Sequence, residues 1–218
     1  MGEWWTYSPE DFLMFSPRVY WRMFALHNGA LWPLPLAGPA LALAAGLLCL
    51  RPRGVRIARA ILAVAWAFVG WAFLWRLYGV INWAVLYVAP LFALQAILLA
   101  RAALRGPTAL RLPPSPRWAA GAILVAAAAA YPLLPPLSGR PIAEAEVFAL
   151  APDPTAIGTL GVLLIAGGGA VLWPVPVLWC LFSAGTLWTL GTAQGVVPFA
   201  AALLAPAAAL VWRRAPAR

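Results

Sequence analysis

The residues with most capacity for chemistry cluster in one stretch. In SGRPIAEAEVFALAPDPTAIGTLG, Glu144, Glu146 and Asp153 follow Arg140 between two apolar runs. Arg22 and His27 from the N-terminal segment, and Arg76 from the end of another apolar run, fall on the same side of the molecule by the topology derived below. Such a set of carboxylates and guanidinium groups reads as a solvated ion-pair cluster that ties a loop to helix ends, each exposed pair worth about 0–1 kcal/mol. The sharper alternative is a binding site for a cation or a polar solute. Asp153 followed by Pro154 reads as a helix N-cap with proline at the first helical position. A metal centre is not expected: His27 is the single histidine, Cys49 and Cys180 lie inside apolar runs, and no spacing matches a ligand motif.

Within the apolar runs polar residues are few. Gln95 is flanked by LFAL and AILL. An unpaired amide in hydrocarbon is costly, so it must face another helix, as glue, or a cavity, as a substrate contact. Ser183, Thr186 and Thr189 recur at three-residue spacing beside Gly185 and read as one polar stripe. With Gln95 they form the candidate substrate pathway, although such hydroxyls also bond back to their own helix. No Asp, Glu, Lys or His falls in the middle of an apolar run, which argues against a proton- or sodium-coupled pump. No nucleophile–base pair, carboxylate pair or phosphate loop can be assembled, so neither an enzyme nor a cofactor is expected.

These residues must be held by something, and composition says what. The chain has 218 residues, 64% hydrophobic and 10% charged, against about 25% charged in a soluble domain. A chain of this length cannot hide that apolar surplus in its own core, so its solvent is lipid. The expected fold is an all-α polytopic transmembrane bundle. With about 20 apolar residues needed to cross roughly 30 Å of hydrocarbon, about seven spans are expected, near 30–50, 58–77, 82–100, 118–137, 155–173, 174–191 and 196–212. The fifth and sixth meet with no charge between them, so a re-entrant hairpin across 155–191 is the alternative.

Arginine placement orients the bundle. Arg51, Arg53, Arg56 and Arg59 follow the first span, Arg101, Arg105, Arg111 and Arg117 the third, and Arg213, Arg214 and Arg218 form a basic tail over 213–218. Only Arg18, Arg22, Arg76 and Arg140 remain for the other side, together with all six acids. The N-terminus is therefore expected outside and the C-terminus in the cytoplasm. The net charge of +9 is dispersed in short gaps, with no basic helix to track phosphates, so nucleic acid is not an expected partner. The expected partners are the lipid bilayer and either further copies of the chain or a larger membrane complex.

Residues 1–29 read as two short interfacial helices, opened by Ser8-Pro9 and Ser16-Pro17, with Asn28-Gly29 as a left-handed stop. Their aromatic side chains suit an anchor lying flat in the headgroup zone, the favoured reading, or a lid over the outer mouth. LWPLPL at Leu31–Leu36 and LWPVPV at Leu172–Val177 look like a repeat. They are read instead as one helix-opening device used twice, Trp at the headgroup level and Pro in a first turn. GPTALRLPPSPR is a stiff connector. AAAAAY (Ala126–Tyr131) and GGG (Gly167–Gly169) permit close helix approach, with discontinuous helices as the alternative.

The combination of HNGALWPLPL, GWAFLWRLYGVINWAVLYVAPLFALQA, AYPLL and EVFALAPDPTAIGTLGVLLIA with VPVLWC resembles an uncharacterised bacterial multi-pass membrane family catalogued only as a domain of unknown function. The resemblance runs from about Phe24 to Gly191, and the element before 155 is its most specific part. It implies a bacterial inner-membrane location and carries no catalytic residues over; members are sometimes loosely labelled permeases. The expectation is a small permease-like protein for a neutral or weakly polar solute, and the alternative a non-catalytic accessory or assembly subunit of a larger complex.

Overall fold

Pro17, Pro52, Pro116 and Pro152 each open a helix, because a first-turn residue has no N–H partner to lose and proline's fixed φ already suits the helix. The computed structural model describes residues 15–106 and 116–211, and among these there is no strand. The helices are α1 (Pro17–Ala30), α2 (Gly38–Leu48), α3 (Pro52–Ile81), α4 (Trp83–Arg105), α5 (Pro116–Leu137), α6 (Pro152–Ala166), α7 (Ala170–Thr189) and α8 (Ala193–Val211). Five of them, α3, α4, α5, α7 and α8, are long and apolar enough to cross a membrane, while α2 and α6 are apolar but shorter.

The seven spans expected from the sequence correspond to seven apolar helices, of which five reach membrane-crossing length. The run at 30–50 becomes helical only from Gly38, after a tight turn at Leu34–Leu36. The run at 155–173 is divided: α6 stops at Ala166 because Gly167 takes φ +71°, and the chain from Ala170 belongs to α7. Gly167–Gly169 thus ends a helix, as glycine at positive φ does. The predicted stop at Asn28-Gly29 is absent, since α1 continues through Ala30. The Asn28 side chain is engaged elsewhere, donating to Ala143 O and Ala145 O at 2.9 and 2.8 Å. Ser16 caps α1 as expected, its hydroxyl accepting from Val19 N at 3.4 Å. The helix expected after Ser8, most of the proline-rich connector and the basic tail lie outside the described residues.

α6 is the axis of the bundle. All its residues are buried, and it packs against α2, α3, α5, α7 and α8. Its fifteen residues span about 22 Å, less than a hydrocarbon core, but an element enclosed by protein need not match the bilayer. The closest crossing is with α5, where backbone meets backbone. A Cβ added at Gly161 would lie 2.8 Å from Gly121 O, and one at Gly121 would lie 2.7 Å from Gly161 O.

α3 is π-helical over Val69–Tyr78. In an α-helix residues five apart diverge by about 140°; the wider turn lets Phe73 and Tyr78 both meet α1. Phe24 stacks on Phe73 at 4.9 Å, Tyr20 meets Tyr78 edge-on at 5.8 Å, and His27 meets Phe73 at 5.3 Å. Tyr20, Trp21, Met23, Phe24 and His27 are buried. α1 therefore turns its aromatic face to the bundle, and the expected anchor's aromatic residues before Phe15 lie outside the described residues.

Candidate functional site

At the N-terminal end of α6, two carboxylates are sealed inside the protein. Asp153, in the first turn, has no exposure. Its Oδ1 accepts from Trp179 Nε1 at 2.8 Å, and its Oδ2 from Ser183 Oγ at 2.6 Å and Tyr131 Oη at 3.0 Å. Donors from α5 and α7 thus converge on it at the positive end of a helix, where a carboxylate is best placed. It is not the N-cap the sequence suggested: α6 opens at Pro152, and the Thr155 hydroxyl takes the Ala149 N–H at 2.9 Å.

Glu146, in the loop between α5 and α6, is 1% exposed and is served differently. Its Oε1 accepts from Gln194 Nε2 at 2.8 Å, whereas Oε2 has no hydrogen-bond partner among the described residues. Gln194 Oε1 in turn accepts from Arg140 Nη2. The Arg140 guanidinium lies 3.4 Å from the centre of the Trp21 ring on α1, and its Nη1 is 3.8 Å from Glu144 Oε2 at the half-buried rim. Arg140 thus reaches Glu146 only through an intervening amide. Burial, followed by the field of Asp153, pushes the Glu146 carboxyl well above the usual carboxylate range, and Arg140 and Gln194 oppose this.

The set predicted for this end is only partly assembled. Arg140, Glu144, Glu146 and Asp153 come together, but not as a solvated cluster, since Glu146 and Asp153 are buried. Arg22 is exposed, and Arg76, also exposed, lies over Trp71 at 5.2 Å. His27 is buried with Nε2 3.1 Å from Leu150 O, an arrangement that requires the proton on that nitrogen; burial lowers its affinity for a second proton. Tyr131, Trp179 and Gln194 join the site from outside the residues that the sequence singles out as candidates. The available signal was the four-residue spacing of Trp179 and Ser183, which puts an indole N–H and a hydroxyl on one face of α7.

The predicted pathway residues do not meet. Gln95 is fully buried, and its Nε2 donates to Leu172 O at 3.1 Å in the turn that opens α7. Ser183 is committed to Asp153, while Thr186 and Thr189 bond back to Phe182 O and Gly185 O at 3.1 and 2.8 Å. Three helical residues fall about 60° short of a full turn, so hydroxyls at that spacing rotate away from a common face.

The C-terminal end of α6 is held by arginines. Arg59 Nη1 donates to Ala102 O and Gly106 O, both at 3.1 Å, and its Nη2 to Gly167 O at 3.0 Å. Arg117 Nε donates to Leu164 O at 3.1 Å, and Arg56 Nε to Ala103 O at 3.1 Å. The last carbonyls of α4 and α6, which no helical N–H can reach, are thereby satisfied by guanidinium groups. Among the described residues, no group of three His, Cys, Asp or Glu could hold a metal ion.

Five helices of membrane-crossing length, four of them packed on a short enclosed helix with charge at its two ends, are the features of a polytopic helical membrane protein. The chain belongs to DUF6064, a family of unknown function whose model matches residues 17–217. No curated protein and no solved structure matches it.

Proposed function

We propose that the protein is a permease-like carrier of a neutral or weakly polar solute in a bacterial inner membrane, with its N-terminus outside, its C-terminus in the cytoplasm and α1 as the lid of its outer mouth. The observation that carries this reading is a groove of about 750 Å³ beside α1, lined by Asn28, Trp32, Pro39, Pro132, Ala145 and Val147 among others. A mainly apolar cleft of this size with a few polar groups suits a small solute. Ala145 and Val147 form its wall, and Glu146 between them turns inward to Gln194. One short extended segment thus separates the groove from the buried polar end of α6.

The accessory-subunit reading draws support from Ser183, Thr186 and Thr189, whose hydroxyls bond to Asp153, Phe182 O and Gly185 O instead of lining one common path. The two readings part in one experiment. Proteoliposomes are challenged with a panel of small polyols, amides and zwitterionic amino acids, and solute entry is followed by stopped-flow light scattering. Ala143→Trp, at an exposed position in the lining, fills the groove and should abolish entry of whichever solute is carried. Absence of entry across the panel, together with a stoichiometric larger complex on gentle extraction, would favour the subunit.

A further inference from the structure

We propose that Glu146 is a proton-binding site whose occupancy is transmitted to α1 through Gln194, Arg140 and Trp21. The inference rests on the carrier reading for its purpose, coupling solute movement to a proton, but the site stands on its own geometry. Two carboxylates are buried at this end, and among the described residues one of them has an oxygen without a donor. Asp153 is saturated by Trp179, Ser183 and Tyr131. Glu146 Oε2 is enclosed, with no hydrogen-bond partner among the described residues. A purely structural anchor would use only Oε1, and a glutamine would serve it equally well. An ionised oxygen without a donor in a dry interior is costly, so the uncharged acid is the form this pocket accommodates. Uptake is simple: hydronium transfers its proton to Oε2, the carboxylate becomes a neutral acid and water leaves. Release reverses these events.

The charged and titratable groups around Glu146 come from five elements: Arg140 and Glu144 from its own loop, Asp153 from α6, Tyr131 from α5, Tyr78 from α3 and Tyr20 from α1. Of these, Arg140 alone is a cation, and it is placed to respond. It is linked to Glu146 by the Gln194 amide, faces Glu144 at 3.8 Å, and carries the Trp21 ring at 3.4 Å. When Glu146 is neutral, Arg140 is drawn to Glu144 and the Trp21 face. When Glu146 is ionised, the guanidinium is drawn inward and α1 loses that contact. The two protonation states thus differ in the seating of α1, as coupling requires.

The test places spin labels at Leu26→Cys on α1 and Leu133→Cys on α5, both exposed positions, in a Cys49→Ala/Cys180→Ala background of the full chain in nanodiscs. The distance distribution is recorded from about pH 5 to about pH 9, a range that spans documented buried-Glu values. We expect two populations exchanging with a midpoint well above the ordinary carboxylate value. Glu146→Gln should hold the low-pH population throughout, Glu146→Asp should titrate with a displaced midpoint, and Glu144→Gln should still titrate. Arg140→Gln should still take up one proton, counted by unbuffered pH titration, while α1 no longer responds. A pH-independent distribution in the parent, or titration that survives in a folded Glu146→Gln, overturns the proposal. Titration without solute entry would sink the carrier reading alone; solute entry without titration would sink the proton site alone.

Discussion

At the C-terminal end of α6, Arg59 and Arg117 give their N–H groups to main-chain carbonyls, while at the N-terminal end Asp153 and Glu146 take theirs from side chains. Carbonyls at a helix end cannot rearrange without unwinding the helix, so the arginine end is a clasp with one arrangement. Side chains have rotamers, and at the acid end one carboxylate oxygen has no donor among the described residues while Arg140 has two acids to choose between. The same helix therefore carries a fixed end and an adjustable one. Buried charge indicates structure when its partners are backbone carbonyls at helix ends, and poise when its partners are side chains.

Arg59→Met would leave the carbonyls of Ala102, Gly106 and Gly167 without their donors. The expected cost is about 3–5 kcal/mol, seen as early thermal unfolding of detergent-purified protein; a melting point equal to the parent's would refute the clasp. Next comes a contrast between the two acids. Asp153→Asn turns an amide N–H toward groups that are themselves donors and should cost about 1–3 kcal/mol, whereas Glu146→Gln keeps the Gln194 contact and should be close to neutral at pH 7. Equal losses in the two variants would erase the distinction.

The pH dependence sharpens the same contrast. In the fold Glu146 holds its proton to a higher pH than the ordinary value of 4.5. Between those two values the native state binds the extra proton, so stability falls as pH rises. The contribution is complete below 4.5 and is lost as pH passes the folded value. Melting curves of the parent should therefore decline as pH rises above 4.5 more steeply than those of Glu146→Gln. The smallest effect belongs to the rim. Asn28→Ala removes two bonds to Ala143 O and Ala145 O and should cost about 0.5–1.5 kcal/mol, read as faster hydrogen exchange in α1 while α6 is unaffected.

Much of the scaffold was legible because its signals are local. Ser16-Pro17 announces α1, and arginines separate apolar runs long enough to be recognised. Arg140, Glu144, Glu146 and Asp153 were grouped because they share one stretch of chain. The rest depends on what hydropathy does not encode. A helix surrounded by protein and one surrounded by lipid are equally apolar, so hydropathy reads α6 as a span or as half of a re-entrant hairpin. Nothing in VGWAFLWRLY marks a π turn, and only the resulting register brings Phe73 and Tyr78 together beneath α1. Which carboxylate is saturated depends on Tyr131, Trp179, Ser183 and Gln194, drawn from three helices whose packing no spacing announces.

The arginine clasp also bears on the choice of cation. All fifteen basic residues are arginine and none is lysine, although an ammonium group would set the sidedness of a membrane chain equally well. A point charge on a flexible stem cannot reach carbonyls on α4 and beyond α6 at once, as the planar fork of Arg59 does. A lysine-substituted chain would keep its orientation in the bilayer and lose the rivet between two helix ends.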